Sequence, residues 1–236
     1  MSFENRNIII VGASSGIGKA IAEKLLIKNA NLTLASRNKP EIEGTFNYIH
    51  LDVLAIADDL NDLPEEIHGL VYCPGSINLK PFRSLKEEDF LNDFKLNTVG
   101  AAMVIQKCLK SLVKAKGASI VLFSTVAANT GLSFHASIAA AKGAIQGLGL
   151  SLAAELAPKN IRVNIVAPSL TDTPLAQNLL ANDDKKEASN KRHPIGRYGT
   201  AEDIANISCF LLEESNSWIT GQTIGVDGGL GKISNI

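Results

Sequence analysis

Apolar positions along the chain fall into short continuous runs and longer periodic ones, and the two kinds alternate. The short runs are Ile8 to Val11, Leu32 to Ser36, Phe46 to His50, Gly69 to Cys73, Ser119 to Phe123, Ile161 to Ala167 and Gln222 to Val226. Each has the length and the near-continuous apolar character of a buried strand. Between them, Lys19 to Leu26, Glu87 to about Lys116, Ala136 to Leu156 and Ala201 to Leu212 repeat at helical spacing. The stretch from Glu87 is long enough for two helices. Pro74-Gly75 ends the fourth strand, Pro158 stops the long helix and Pro168 stops the sixth strand. Apolar strands alternating with helices predict an α/β fold, a doubly wound parallel sheet between two helical layers. No repeat or composition shift divides the chain, so a single domain over residues 1–236 is expected. Residues 173–193 are polar and charged, with Asn182-Asp183-Asp184-Lys185-Lys186-Glu187 at their centre. In such sheets ligands bind beyond the carboxyl ends of the strands. A polar segment after the sixth strand lies there and is expected to be a mobile lid.

Composition narrows the function classes. The 236 residues are 45% hydrophobic and carry a net charge of −1, which gives no footprint for a nucleic-acid partner and no sign of disorder. No apolar run reaches the roughly 18 residues of a membrane span. The polar start, Met1 to Asn7, runs directly into the first strand and does not read as a signal peptide. Cys73, Cys108 and Cys209 are few and widely separated. They read as reduced thiols in a cytoplasmic protein, with no disulfide framework and no metal site.

The strongest local signal is Gly12-Ala13-Ser14-Ser15-Gly16-Ile17-Gly18, between the first strand and the first helix. Glycines there allow a tight turn and close backbone approach to a phosphate. The helix N-terminus offers unpaired N–H groups and the positive end of its dipole. The Gly-x3-Gly-x-Gly spacing resembles the cofactor loop of the short-chain dehydrogenase/reductase family, which has a Rossmann-type sheet and binds nicotinamide dinucleotides. The resemblance continues at Gly75, at Pro194-Ile195-Gly196-Arg197 with Ala201-Glu202-Asp203, and at Gly221-Gln222 with Asp227-Gly228-Gly229. It therefore covers nearly the whole chain. A site for NAD carries an acid at the end of the second strand. This chain has Ser36-Arg37-Asn38-Lys39, and Arg37 offers a planar fork of donors suited to a 2′-phosphate. NADP(H) is expected over NAD(H). Asp52, with Val53 beside it, matches the family acid that bonds the adenine amino group, although a helix N-cap fits Asp52 too. The resemblance also implies cofactor contacts from Ser14, Ser15, Ile17, Pro168, Thr171 and Thr173. Two departures stand out. Tyr72-Cys73-Pro74-Gly75 replaces the usual Asn-Asn-Ala-Gly, and Pro168-Ser169 replaces Pro-Gly.

The family combines Asn, Ser, Tyr and Lys at its reactive centre. Asn97 and Lys142 match two of these, and Lys142 is the only charged residue between His135 and Glu155. The serine position is Thr125, whose hydroxyl still donates a hydrogen bond. The tyrosine position is Ile138, four residues before Lys142, and an isoleucine exchanges no proton. Two readings follow. Another acid replaces the phenol: His135, seven residues before Lys142, stands where enoyl reductases of the superfamily carry their tyrosine, and an imidazole suits proton transfer near neutral pH. Alternatively, the chain binds NADP(H) without efficient turnover, as a sensor or regulatory protein. The expected activity is reduction of a ketone, 3-oxoacyl or enone small-molecule substrate. The family's pairing through its two long helices implies a homodimer or homotetramer.

Overall fold

The computed structural model describes residues 2–55, 60 and 62–233. In chain order the elements are β1 (Asn7–Val11), α1 (Gly16–Ile27), β2 (Asn31–Ser36), β3 (Asn47–His50), β4 (Gly69–Tyr72) and α2 (Glu87–Phe94). There follow α3 (Gly100–Lys114), β5 (Ala118–Phe123), α4 (Ala136–Leu156), β6 (Ile161–Pro168), β7 (Thr171–Asp172) and α5 (Asp183–Arg192). The chain closes with β8 (Gly199–Thr200), α6 (Ala201–Leu212) and β9 (Thr223–Val226). Among the described residues, seven strands form one sheet in the order β3-β2-β1-β4-β5-β6-β9, and each of its pairings is parallel. The order reverses between β1 and β4, which opens a crevice beyond the carboxyl ends of the central strands.

Both faces of the sheet are covered, which is why the strands read as continuous apolar runs. Ile8, Ile10, Leu32, Leu34, Val121 and Val166 pack under α1 and α6, against Ile21, Leu25 and Ile204. Their neighbours Ile9, Val11, Leu70, Ile120, Leu122 and Ile165 face α3 and α4, against Val104, Cys108, Leu112 and Ile145. Cys73, Cys108 and Cys209 are free thiols.

Two features add to the sequence pattern. The helical stretch from Glu87 is two helices, as expected, and a π-helical turn over Lys95–Val99 joins α2 to α3. Residues 173–193 are mostly helical: a 3-10 segment over Pro174–Leu179 leads into α5. That helix has almost no apolar residues, so periodicity could not reveal it. Its signals are local. Asn182 caps it by accepting the Lys185 N–H at 3.0 Å, Asp183 and Asp184 occupy the first turn, and Lys191 and Arg192 the last. β7 and β8 form a small parallel pair that anchors this excursion to the start of α6.

Candidate active site

The glycine loop is built by sterics. Gly12 (φ +80°) and Gly16 (φ +54°) adopt backbone conformations that L side chains rarely take. A side chain on Gly18 would come within 2.3 Å of the Gly12 carbonyl oxygen, so only glycine lets α1 start this close to the turn. Gly16 faces Thr173, whose Cβ would lie 3.3 Å from an added side chain. Ser15 supplies no capping bond to α1, and no acid occupies the helix's first turn. Its first N–H groups are therefore left for an anion. Ser14 is exposed on the same loop and Ile17 lines the cleft beside it. The Pro74 ring packs over Gly12, 3.1 Å from where a side chain would begin.

Arg37 follows β2 and is exposed. Asp52, just beyond β3, accepts the Leu54 N–H at 3.0 Å, a tight local turn. Val53 packs against the α3 side of the core. These three residues lie just beyond the carboxyl ends of β2 and β3.

At the other end lies a cleft of about 440 Å³ lined by Gly75, Thr125, His135, Ile138, Lys142, Pro168, Ser169, Thr171 and Thr173, among others. Lys142 is buried, and its ammonium donates to the Phe123 carbonyl at 2.8 Å. Burial pulls its pKa from 10.5 down to about 8, while the Asp93 carboxylate opposes the shift. The Cys73 thiol is pushed up to about 12 by burial and stays protonated at neutral pH. Asn97 sits in the π-helical turn, 1% exposed, with its amide donating to the Asp93 carbonyl at 2.8 Å and to Ser76 Oγ at 3.3 Å. Its Oδ1 is the one buried side-chain polar atom without a partner among the described residues. A side chain on Gly75 would stand 3.2 Å from that oxygen and 3.4 Å from Lys142 Nζ. An orphan acceptor and an ammonium thus converge on the space that Gly75 leaves open.

The remaining positions are equally specific. Thr125 caps a short 3-10 turn through the Ala127 N–H, and its hydroxyl donates to the Pro168 carbonyl at 3.4 Å. Ser124 turns away, donating to the Lys142 carbonyl at 2.9 Å and accepting from Gln146. Ile138 is 5% exposed and forms an apolar wall one turn before Lys142. His135 is the half-buried N-cap of α4, with Nδ1 held 2.7 Å from the Ser133 carbonyl oxygen. Thr171 donates to the Ser169 carbonyl and Thr173 to the Thr171 carbonyl. The 3-10 segment and α5 close one side of the cleft through Leu175, Leu179, Ser189 and Arg192. A further cavity, about 620 Å³, lies at the opposite, amino ends of the strands and includes Arg6, His68 and Arg162. No cluster of metal-ligating side chains occurs among the described residues.

Two arrangements have no counterpart in the sequence reading. Asp93 is buried and accepts from Ser76 Oγ at 2.7 Å, behind Asn97. Ser169 Oγ lies 2.8 Å from Nε2 of the buried His193. The serine was legible as a departure from Pro-Gly, but nothing in the spacing pairs it with a histidine on a distant turn.

The glycine cradle, the open helix N-terminus and the unpaired Asn97 oxygen fit a nicotinamide dinucleotide. Comparison with known proteins agrees. A family model described as enoyl-(acyl carrier protein) reductase matches residues 12–231. The 3-oxoacyl-(acyl-carrier-protein) reductase FabG of Thermotoga maritima is 31% identical, with 98% of this chain and 99% of that one covered. The aldohexose dehydrogenase of Thermoplasma acidophilum superposes with a TM-score of 0.90 at 27% identity, covering 99% of this chain and 97% of the other. ElxO, solved with NADP bound, superposes with a TM-score of 0.87 at 26% identity, over 95% and 98% of the two chains. The chain belongs to the short-chain dehydrogenase/reductase family of oxidoreductases.

Proposed function

We propose that this protein is an NADP(H)-dependent oxidoreductase that reduces a ketone, 3-oxoacyl or enone substrate in an active site without the usual phenol. The observation that carries the reading is the convergence of Lys142 Nζ and the orphan Asn97 Oδ1 over Gly75. Bound NADPH supplies the hydride. The glycine loop and the start of α1 hold its pyrophosphate, and Arg37 pairs with the 2′-phosphate. Asp52 and Val53 border the adenine. Lys142, Asn97, Pro168, Thr171 and Thr173 hold the nicotinamide half. The Thr125 hydroxyl orients the substrate oxygen, and Ile138 keeps water from the reacting carbon. His135 is a candidate acid: with Nδ1 facing a carbonyl, its remaining polar atom is Nε2, on a residue that lines the cleft. Small-molecule turnover in the cytoplasm and a homodimer or homotetramer complete the reading, and the helical segment 173–193 acts as the lid.

A second reading rests on Ile138. With no proton donor at that point, the chain would bind NADP(H) as a regulatory or sensor protein.

Cofactor titration followed by a panel of ketones, 3-oxoacyl thioesters and enones tests both. NADPH is expected to bind more tightly than NADH. Arg37→Ala is expected to remove most of that preference, because a charge-assisted contact is worth about 1.5–3 kcal/mol, or roughly ten- to a hundredfold. Equal NADH binding by the unaltered protein would exclude the role given to Arg37. Tight NADPH binding with no turnover on the panel would favour the regulatory reading.

A further inference from the structure

His193 follows α5 and is 2% exposed. Its Nδ1 lies 2.6 Å from the Ser189 carbonyl oxygen. A carbonyl only accepts, so Nδ1 carries a hydrogen whether the ring is neutral or charged. In the neutral ring the lone pair therefore sits on Nε2, which is 2.8 Å from Ser169 Oγ. The serine hydrogen then points at the imidazole, and its oxygen lone pairs are left for the cleft. Ser169 lines that cleft and His193 does not, so the hydroxyl stands between the ring and the cavity. A side chain added at Gly228 would lie 3.5 Å from the ring's Cδ2. Ser169 is also next to Pro168, whose carbonyl meets the Thr125 hydroxyl at 3.4 Å. A glycine at 169 would provide none of this. The serine brings a hydroxyl, backed by a base, to the wall where Ile138 brings none.

We propose that Ser169 and His193 form the proton relay of this active site, with Ser169 exchanging a proton with the substrate oxygen and His193 holding a proton behind it. The proposal rests on the oxidoreductase reading above. In the oxidative direction, the alcohol proton moves to Ser169 Oγ as the serine's own proton moves to Nε2. The O–H electron pair becomes the second bond of the carbonyl, and the C–H pair leaves as hydride to the oxidised nicotinamide. In reduction, hydride adds to the carbonyl carbon and the carbonyl π pair forms the new O–H bond with the Ser169 proton. Nε2–H of the charged imidazole restores the serine, and after product release a solvent proton passed inward through Ser169 Oγ recharges the ring at Nε2. One hydride from NADPH and one proton from solvent are consumed per carbonyl reduced. Ser169 is the catalytic residue of the pair, and His193 is a positioning residue that acts through it.

The test uses the full chain and two kinds of readout. Nitrogen-15 histidine spectra of the protein without cofactor are expected to show His193 as the Nδ1–H form, with an Nε2 signal that moves in Ser169→Ala and is kept in Ser169→Thr. A His193 ring protonated on Nε2 alone would overturn the proposal. With the most active panel substrate, Ser169→Ala is expected to lower kcat by about 10²–10⁴-fold with NADPH affinity unchanged, and Ser169→Thr to retain most of it. His193→Gln is expected to cost as much as Ser169→Ala, and the double variant no more than either single one. A His193 that only ties α5 to the β6 loop would instead lower the melting temperature and cost the same factor in the Ser169→Ala background. That outcome overturns the relay, as does full turnover by Ser169→Ala. If His193→Gln does not fold, the two Ser169 variants and the spectra decide. An unaltered protein that binds NADPH and reduces nothing on the panel defeats the oxidoreductase reading and the relay together. An active protein indifferent to Ser169→Ala defeats the relay alone, and loss of activity in His135→Ala would then assign the proton to His135.

Discussion

Ile138 projects into the cleft one helical turn before Lys142, and its chemistry sets what the site can do. A branched alkyl group there dries the pocket and supplies no proton. Ile138→Tyr places a phenol within one turn of a buried ammonium, which favours the phenolate by opposite charge. This change is expected to raise, or create, NADPH-dependent reduction of simple ketones by at most about 10²–10⁴-fold, the usual worth of general acid–base assistance, and by less where Ser169 already supplies the proton. The check is the steady-state rate on the same carbonyl panel. If Ile138→Tyr folds, binds NADPH and gains nothing, then Thr125, Pro74 and Ser169 carry the remaining difference from the family pattern. The Arg37→Ala titration belongs to this scale as well, since one exposed guanidinium bears the whole proposed choice between the two cofactors.

Elements decide whether those side chains meet. α1 can begin against the loop only because Gly18 has no side chain. Gly18→Ala would drive a methyl to 2.3 Å from the Gly12 oxygen. It is expected to destabilise the fold by about 1–3 kcal/mol, the usual cost of overpacking, and to weaken NADPH binding. Thermal unfolding and cofactor titration measure the two effects. α2 depends on an acid at its start. Asp89 accepts from Lys80 Nζ at 2.5 Å, from the Lys86 N–H at 3.0 Å and from Asn78 at 3.3 Å. The hydrogen bond from Lys80, followed by that from the Lys86 backbone, lowers its pKa from 3.8 to about 2. A carboxylate whose folded pKa is depressed stabilises the fold above its unfolded value and loses that contribution as pH falls through the folded one. The loss therefore runs from about pH 4 down to about pH 2. Asp89→Asn is expected to lower the melting temperature at pH 6 and to flatten its decline across that window.

Across the whole molecule, α2, the π-helical turn and α3 expose a run of apolar side chains. Leu91 and Phe94 on α2, Val99 on the π-helical turn and Met103 on α3 are all exposed. Leu150 on α4 is 61% exposed. Apolar residues concentrated in this way mark an interface more often than a solvated surface. Light scattering at micromolar protein is expected to give the mass of a dimer or tetramer. Leu91→Asp with Met103→Asp is expected to shift it toward the monomer. A monomeric mass for the unaltered protein would exclude the pairing. No helix among the described residues is long and apolar enough to cross a membrane.

The order of residues already specifies the layering of the sheet and the tight glycine turn between β1 and α1. Continuous apolar strands can be buried only in a sheet covered on both faces, and a glycine turn between strand and helix carries its own geometry. Gly12 and Gly16 stand out in the sequence through their spacing in one strand-to-helix turn, and Ile138 and Lys142 through theirs on one helix. Residues 173–193 showed why periodicity fails where a helix packs little apolar surface: α5 is specified by its cap and end charges. Tertiary structure alone decided which polar groups face one another. The unpaired Asn97 oxygen, the Asp93–Ser76 contact and the Ser169–His193 pair each join elements that the chain separates. Hydrogen bonds between such elements depend on distance and direction, which residue order does not encode until the sheet and helices have packed.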